Sequence, residues 1–151
     1  MTPRQQIALR NAKAWKQDSA NALTKSILQY LNVQGYVAWR NNTMGVFDAK
    51  QAAGRILKAG RIGDMKQAMN LLSSCYRKSH ERKGVSDIVG YEKKTGRALF
   101  VEVKYGKDKL SAEQREFLRQ ADRNGAIAIK ATSMDAFFRQ LFFYENAASA
   151  K

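Results

Sequence analysis

One cysteine, one histidine and one proline are all that the 151 residues contain of those three types, and each scarcity excludes a class of chemistry. Cys75 has no partner for an internal disulfide, so the fold must stand on an apolar core, and such a chain suits a reducing, cytoplasmic setting. Cys75 and His80 together fall short of the ligands a zinc site or a histidine-metal finger requires. They read instead as a small apolar helix residue and a polar loop residue. Long apolar runs are also missing. No segment approaches the roughly 20 residues of a transmembrane helix, and none joins a sustained apolar face to a basic one, so a membrane is not the expected partner. The opening Met1-Thr2-Pro3-Arg4-Gln5-Gln6 leads into no secretory h-region. Acidic residues are scarce too: Lys and Arg number 27 against 13 Asp and Glu, a formal charge of +14. Such an excess points to a polyanion, because each cation that neutralises a phosphate releases condensed counterions. Nucleic acid is the partner this balance implies. No aromatic-rich strand of the RNA-recognition type is present, which weakens an RNA-binding reading.

The length suits one domain with a single core and a short helical appendage. Pro3 can open a helix to about Gln17, with Ile7, Ala8, Ala14 and Trp15 inward. Ser19 is placed to cap a second helix through Leu31, in which Leu23, Ile27, Leu28 and Leu31 recur at helical spacing. Gly35 ends it, and Tyr36–Arg40 reads as a strand with phosphate-suited donors, Arg40 and Asn41, at its exit; Arg40 could equally pair with a carboxylate. Between Asp48 and His80 two helical stretches, Lys50–Lys58 and Met65–Leu72, read as an inserted basic pair. Lys58, Arg61, Lys66 and, beyond the insert, Lys83 are candidate DNA-phosphate contacts. Later, Ser111-x-x-Gln114 is a capping-box pattern for a helix to about Arg123, Asn124-Gly125 closes it, and Ala126–Lys130 returns as a buried strand. Ser133 then caps a helix with Phe137, Phe138, Leu141 and Phe142 inward. The run Phe142-Phe143-Tyr144 exceeds what a small core would cover and, with the insert, marks a candidate homodimer contact. The expected organisation is a helical extension over 1–18, one domain over 19–145 with an insertion near 48–80, and a flexible tail over 146–151.

The chemistry sits in two strand-like segments, Val85–Tyr91 and Ala98–Lys104, joined by a Lys93-Lys94-Thr95-Gly96 turn. In the second, Leu99, Val101 and Val103 point one way, and Phe100, Glu102 and Lys104 the other. A hairpin would bring Asp87 to the end where Glu102 and Lys104 stand. Two carboxylates and an amine suit phosphodiester hydrolysis: Mg²⁺ is commonly held by one or two carboxylates plus water and substrate phosphate, and a fixed lysine can orient water or offset developing charge. Taken alone, Glu-x-Lys is also an ordinary solvated strand face, and an aspartate there often serves a turn.

These segments, with Leu110–Phe117, Asn124-Gly125-Ala126, Asn21–Lys25 and Arg40-Asn41-Asn42, resemble the PD-(D/E)XK nucleases, specifically the compact VRR-NUC-type, Holliday-junction-resolvase-like branch. The resemblance covers most of Ala20–Leu141 outside about Phe47–Arg82. It implies a restriction-endonuclease-like α/β fold, a mixed sheet flanked by helices, and Mg²⁺- or Mn²⁺-dependent endonucleolytic cleavage of DNA, with branched or nicked forms as candidate substrates. By position it makes Asp87, Glu102 and the Val103 backbone carbonyl metal ligands, Lys104 the catalytic lysine and Gln114 a supporting active-site residue. Ser86 stands where the family name has proline. Many relatives carry a glutamate on the first helix, where this chain has Ala20-Asn21; Asn21 offers an amide oxygen but no charge. The alternative function is therefore a DNA-binding protein that keeps the fold without cleavage.

Overall fold

The computed structural model describes residues 1–41, 46–47, 49–59, 67, 69–71, 76–77 and 84–149. The chain divides into two compact units, Met1–Asn42 with Arg82–Lys151, and Thr43–Glu81.

The larger unit is built on a four-stranded sheet in the order β1-β4-β5-β6: β1 (Tyr36–Arg40), β4 (Ile88–Glu92), β5 (Ala98–Val103) and β6 (Ile127–Ala131). The first two pairings are antiparallel, and β5 and β6 run parallel. A parallel pair needs a crossover, supplied here by helix α4 (Ala112–Arg123). Alternation along each strand divides the sheet into two unlike faces. On one face Tyr36, Ala38, Ile88, Leu99, Val101, Ile127 and Ile129 are buried against Leu23, Ile27 and Leu31 of α2 (Ala20–Val33) and Phe137, Phe138 and Leu141 of α5 (Met134–Ser149). Each fully buried aliphatic or aromatic side chain there is worth about 1.5–3 kcal/mol. On the other face lies α4, none of whose residues is fully buried.

Helix ends follow the sequence signals. Ser19 Oγ accepts from the Ala22 amide at 3.2 Å, and Ser133 Oγ from Ala136 at 3.1 Å. Gly125, at φ +84°, follows the α4 cap residue Asn124 in the left-handed region that glycine enters at least cost.

Several expectations change. The N-terminal helix α1 (Pro3–Arg10) stops well before Gln17, giving way to a 3₁₀ turn at Ala12–Ala14. Ala8 and Trp15 pack against the core as expected, with Leu9, while Ile7 and Ala14 are exposed; Gln5 and, in the turn, Ala12 are the buried residues, and Gln5 donates to Glu145 of α5 at 2.9 Å. β4 starts only at Ile88, because the β1 and β5 ladders both begin there. Helix α5 continues to Ser149, into the stretch read as a tail. Of Phe142-Phe143-Tyr144, Phe142 stacks on Phe138 at 5.6 Å in the core, and the Tyr144 hydroxyl lies 2.7 Å from Asp122 Oδ1; Phe143 alone of the three is exposed. An α-helix of this length turns its consecutive aromatics to different sides, so the run does not form one surface.

The smaller unit contains α3 (Ala49–Ala59), as expected, with helical residues at Gln67 and Met69–Leu71. It also contains an antiparallel ribbon, β2 (Val46–Phe47) with β3 (Tyr76–Arg77), where only a helical pair was expected. Two-residue strands leave too short an alternation to register in sequence.

Candidate active site

The geometry begins where the β4–β5 ladder stops. Ile88 opposite Val101 is its last pair, and one residue further out Asp87 Oδ2 accepts from the Val103 amide at 2.9 Å. A side-chain carboxylate thus continues the backbone ladder and fixes Asp87 against the end of β5, leaving Oδ1 for another partner. Asn41 holds the loop from the opposite side. Its backbone amide donates to the Asp87 carbonyl at 2.8 Å, and its Nδ2 to the Ser86 carbonyl at 3.2 Å. Asn41, a candidate phosphate contact, is thus bonded to the backbone of Ser86 and Asp87.

Glu102 is 1 % exposed. Its Oε1 accepts from Lys104 Nζ at 3.0 Å and from Gln114 Nε2 at 2.5 Å, while its buried Oε2 has no hydrogen-bond partner. Burial pushes the Glu102 carboxyl above the usual glutamate range, the nearby Asp87 charge adds to the rise, and Lys104 opposes it. Lys104 is itself buried, which pulls its ammonium down, but Glu102 and Asp108, the latter 3.3 Å from Nζ, outweigh burial and hold it above the ordinary lysine value.

Gln114 makes hydrogen bonds of both kinds that its position in the sequence allows. Its Oε1 accepts from the Ser111 amide at 3.0 Å and its backbone N–H donates to Ser111 Oγ at 3.2 Å, closing the capping box, while Nε2 reaches Glu102. The two ends of one amide serve the two tasks. The cap of α4 is thereby tied to the carboxylate.

Asp87, Glu102, Lys104 and Gln114 are brought together. Asn21, a candidate metal support, is linked by no hydrogen bond to these groups; its Oδ1 accepts from Arg40 Nη2 at 2.8 Å, so Arg40 finds an amide rather than a carboxylate. Lys58 lies exposed on α3. Arg61, Lys66 and Lys83 lie outside the described residues.

Two contributors, Asp108 and Gly84, were not singled out from sequence, and a third, Ser86, was noted only as standing in proline's place. Asp108 is reached by Lys104, four residues before it, with no motif to flag it. Ser86, fully buried, has an Oγ without a partner. Gly84 has φ +83°, and a Cβ there would lie 2.7 Å from the Glu113 carbonyl carbon and oxygen. The close approach of this loop to the start of α4 is what lets Asp87 and Gln114 share a site. Its only sequence signal is the glycine that opens the motif.

The donor set can be tested for a divalent cation. Among the described residues no group of three or more His, Cys, Asp and Glu could hold a metal ion. A hard cation does not require one, since Mg²⁺ usually keeps several waters beside one or two carboxylates. The unpartnered Glu102 Oε2 and the remaining Asp87 Oδ1 fit that pattern. A buried carboxylate oxygen without a partner is costly, by about 1–3 kcal/mol or more, unless something else satisfies it.

A mixed sheet flanked by helices, with two carboxylates and a lysine at the end of its central hairpin, is the arrangement of a PD-(D/E)XK-like nuclease domain. The VRR-NUC domain family matches residues 15–135, and the chain belongs to that family. The match includes all four residues of the cluster. Comparison with curated proteins and with solved structures gives no match.

Proposed function

We propose that the protein is a divalent-metal-dependent DNA endonuclease, and the observation that carries the proposal is the divided Glu102 carboxylate: one oxygen locked by Lys104 and Gln114, the other buried without a partner beside Asp87. Asp87 and Glu102 would hold Mg²⁺ or Mn²⁺, with the Val103 carbonyl as a further ligand. Such an ion supplies an acidified water and offsets charge on the leaving oxygen. Lys104, kept protonated by its two carboxylates, orients the attacking water or stabilises the charge that develops on the phosphate. Gln114 fixes the Glu102 rotamer. The excess of positive charge, including Arg40 and Lys58, and with Arg61, Lys66 and Lys83, supplies sequence-independent phosphate contacts. Branched or nicked DNA is the proposed substrate form. A homodimer would place two centres on a symmetric branch.

Asn21 stands where many relatives carry a glutamate, and its amide is committed to Arg40, which favours the second reading, a DNA-binding protein without cleavage. Incubation with linear, nicked, flapped and four-way DNA, with Mg²⁺, with Mn²⁺ and with chelator, separates the two. Cleavage that needs the ion is the expected result; binding without cleavage under every condition selects the second reading, and undiminished turnover in excess chelator overturns the metal mechanism.

Two further outcomes follow from the electrostatics. Because the folded-state pKa of Glu102 is raised, the folded protein holds that proton more tightly than the unfolded chain does. Its contribution to stability is present below the ordinary glutamate value and is lost as pH rises through the raised one. A cation that neutralises the pair should therefore raise Tm more at pH 7 than at pH values near the glutamate range, measured by thermal melts with and without Mg²⁺. Equal shifts at both pH values would place the ion elsewhere. Separately, replacing Lys58, Arg61 and Lys66 together by Ala should weaken binding to all DNA sequences alike and flatten the dependence of log K on log[salt] by up to about 0.9 per lost phosphate contact. An unchanged slope would assign these cations to some other task.

A further inference from the structure

The sheet face that carries Glu102 continues away from it as an incompletely covered aromatic surface. Residues two apart on a strand share a face, and residues directly opposite each other in an antiparallel pair point to the same side. Phe100, two residues before Glu102, therefore shares its face; Val89 is opposite Phe100, and Trp39 is opposite Val89. The next row runs Ala98, Tyr91, Val37. Helix α4 packs over β5 and β6, where Phe117 meets Phe100 edge to face at 5.0 Å. On the β1 and β4 side Trp39 is 52 % and Tyr91 42 % exposed. Between α4 and the sheet a cavity of about 360 Å³ opens, with Arg97, Phe100, Phe117 and Asn124 in its wall.

We propose that this face is a stacking platform for unpaired bases of the DNA strand that enters the Asp87–Glu102 centre, with Trp39 and Tyr91 presenting the ring faces; the proposal rests on the nuclease reading above and deepens it by naming single-stranded segments as part of the substrate. The platform is continuous with the site. Phe100 lies about 7 Å from Glu102 along the strand, and Trp39 about 10 Å from Phe100 across two strand spacings, so a strand whose phosphate sits at the carboxylates has its nearest bases over these rings within a few nucleotides. Cations border this surface: the exposed Lys93 and Lys94 follow Tyr91 within three residues, and Arg97 stands in the cavity wall beside Phe100. Aromatic faces flanked by Lys and Arg are the combination that holds single strands irrespective of sequence. Paired bases inside a duplex have no free face to offer, so the platform distinguishes flaps, gaps and open branches from continuous duplex. A second copy of this chain is a poor occupant. Two such faces would bring like charges together, on a protein whose net charge is +14.

The two tryptophans make the test direct. Trp15→Phe leaves Trp39 as the sole indole emitter, and the intact protein in chelator can be titrated with single-stranded, flapped and blunt duplex DNA. Saturable quenching of Trp39 by the first two is expected, and little by the third. Trp39→Ala and Tyr91→Ala should each weaken binding to single-stranded and flapped DNA by about 5- to 150-fold, the equivalent of one lost base–aromatic stack. Affinity for blunt duplex and the salt slope should be unchanged, and Trp39→Phe should restore most of the loss. If Trp15→Phe fails to fold, the quench that disappears between the unaltered chain and Trp39→Ala carries the same information. Unchanged single-strand affinity in Trp39→Ala and Tyr91→Ala overturns the platform, as does Trp39 emission that shifts with protein concentration in the absence of DNA, which would assign the face to self-association. Cleavage without quenching removes the platform and leaves the nuclease reading standing; quenching without cleavage of any DNA does the reverse.

Discussion

Asp87→Asn and Glu102→Gln should each reduce DNA cleavage by at least about 10²–10³-fold, the range lost when one preorganised charge-stabilising group is removed, while DNA binding persists. The fold should survive both changes. Asparagine can still accept from the Val103 amide through its carbonyl, and glutamine at 102 can still accept from Lys104 and Gln114. Neither can supply the charge that a cation needs. The second readout is thermal: the Mg²⁺-dependent rise in Tm should vanish in both variants. Retained cleavage in either, with the melt and binding intact, would remove that carboxylate from the chemistry. Loss of binding together with cleavage would instead point to a damaged fold.

Gly84→Ala should damage both the fold and the candidate site. A non-glycine residue at φ +83° costs about 1–2 kcal/mol. The added methyl would also stand 2.7 Å from the Glu113 backbone and 3.0 Å from the Gln114 amide. Backbone cannot rotate away as a flexible side chain can, and overpacking of this kind adds about 1–3 kcal/mol. A total of roughly 2–5 kcal/mol corresponds to a fall in Tm on the order of 10 °C for a chain of this size. Cleavage should fall further than stability predicts, because separating the loop from α4 moves Asp87 away from Gln114 and breaks the tie to Glu102. Measuring activity well below the lowered Tm separates the two effects. A variant that melts low but cuts normally would show that the contact serves stability alone.

Much of the frame could be read directly from the sequence. Ser19, Ser111 and Ser133 cap the helices they precede because short hydroxyl side chains satisfy the free amides of a first turn, a local interaction that needs no tertiary partner. The alternation of Leu99, Val101 and Val103 against Phe100 and Glu102 fixes which side of β5 enters the core. Hairpin pairing of two adjacent segments then places Asp87 beside the end of β5, again with little long-range information. The candidate site is legible to that extent.

What remained hidden depends on distance along the chain. The burial of Gln5 and Ala12 depends on α5, more than a hundred residues away in sequence. The inward turn of Phe142 and Tyr144 depends on neighbours that α2, α4 and β6 supply. The division of the Glu102 carboxylate into a locked and an unpartnered oxygen requires α4 to dock its first turn over β5, which only the clearance at Gly84 allows. By itself the sequence determined the secondary-structure frame, the positive charge and the identity of the acidic pair, because spacing and capping are local. The tertiary structure alone decided which oxygen stays unpartnered, what Asn41 and Asn21 are bonded to, and which aromatics stay exposed beside the site, because burial and hydrogen-bond partners are set by elements that meet only when the chain folds.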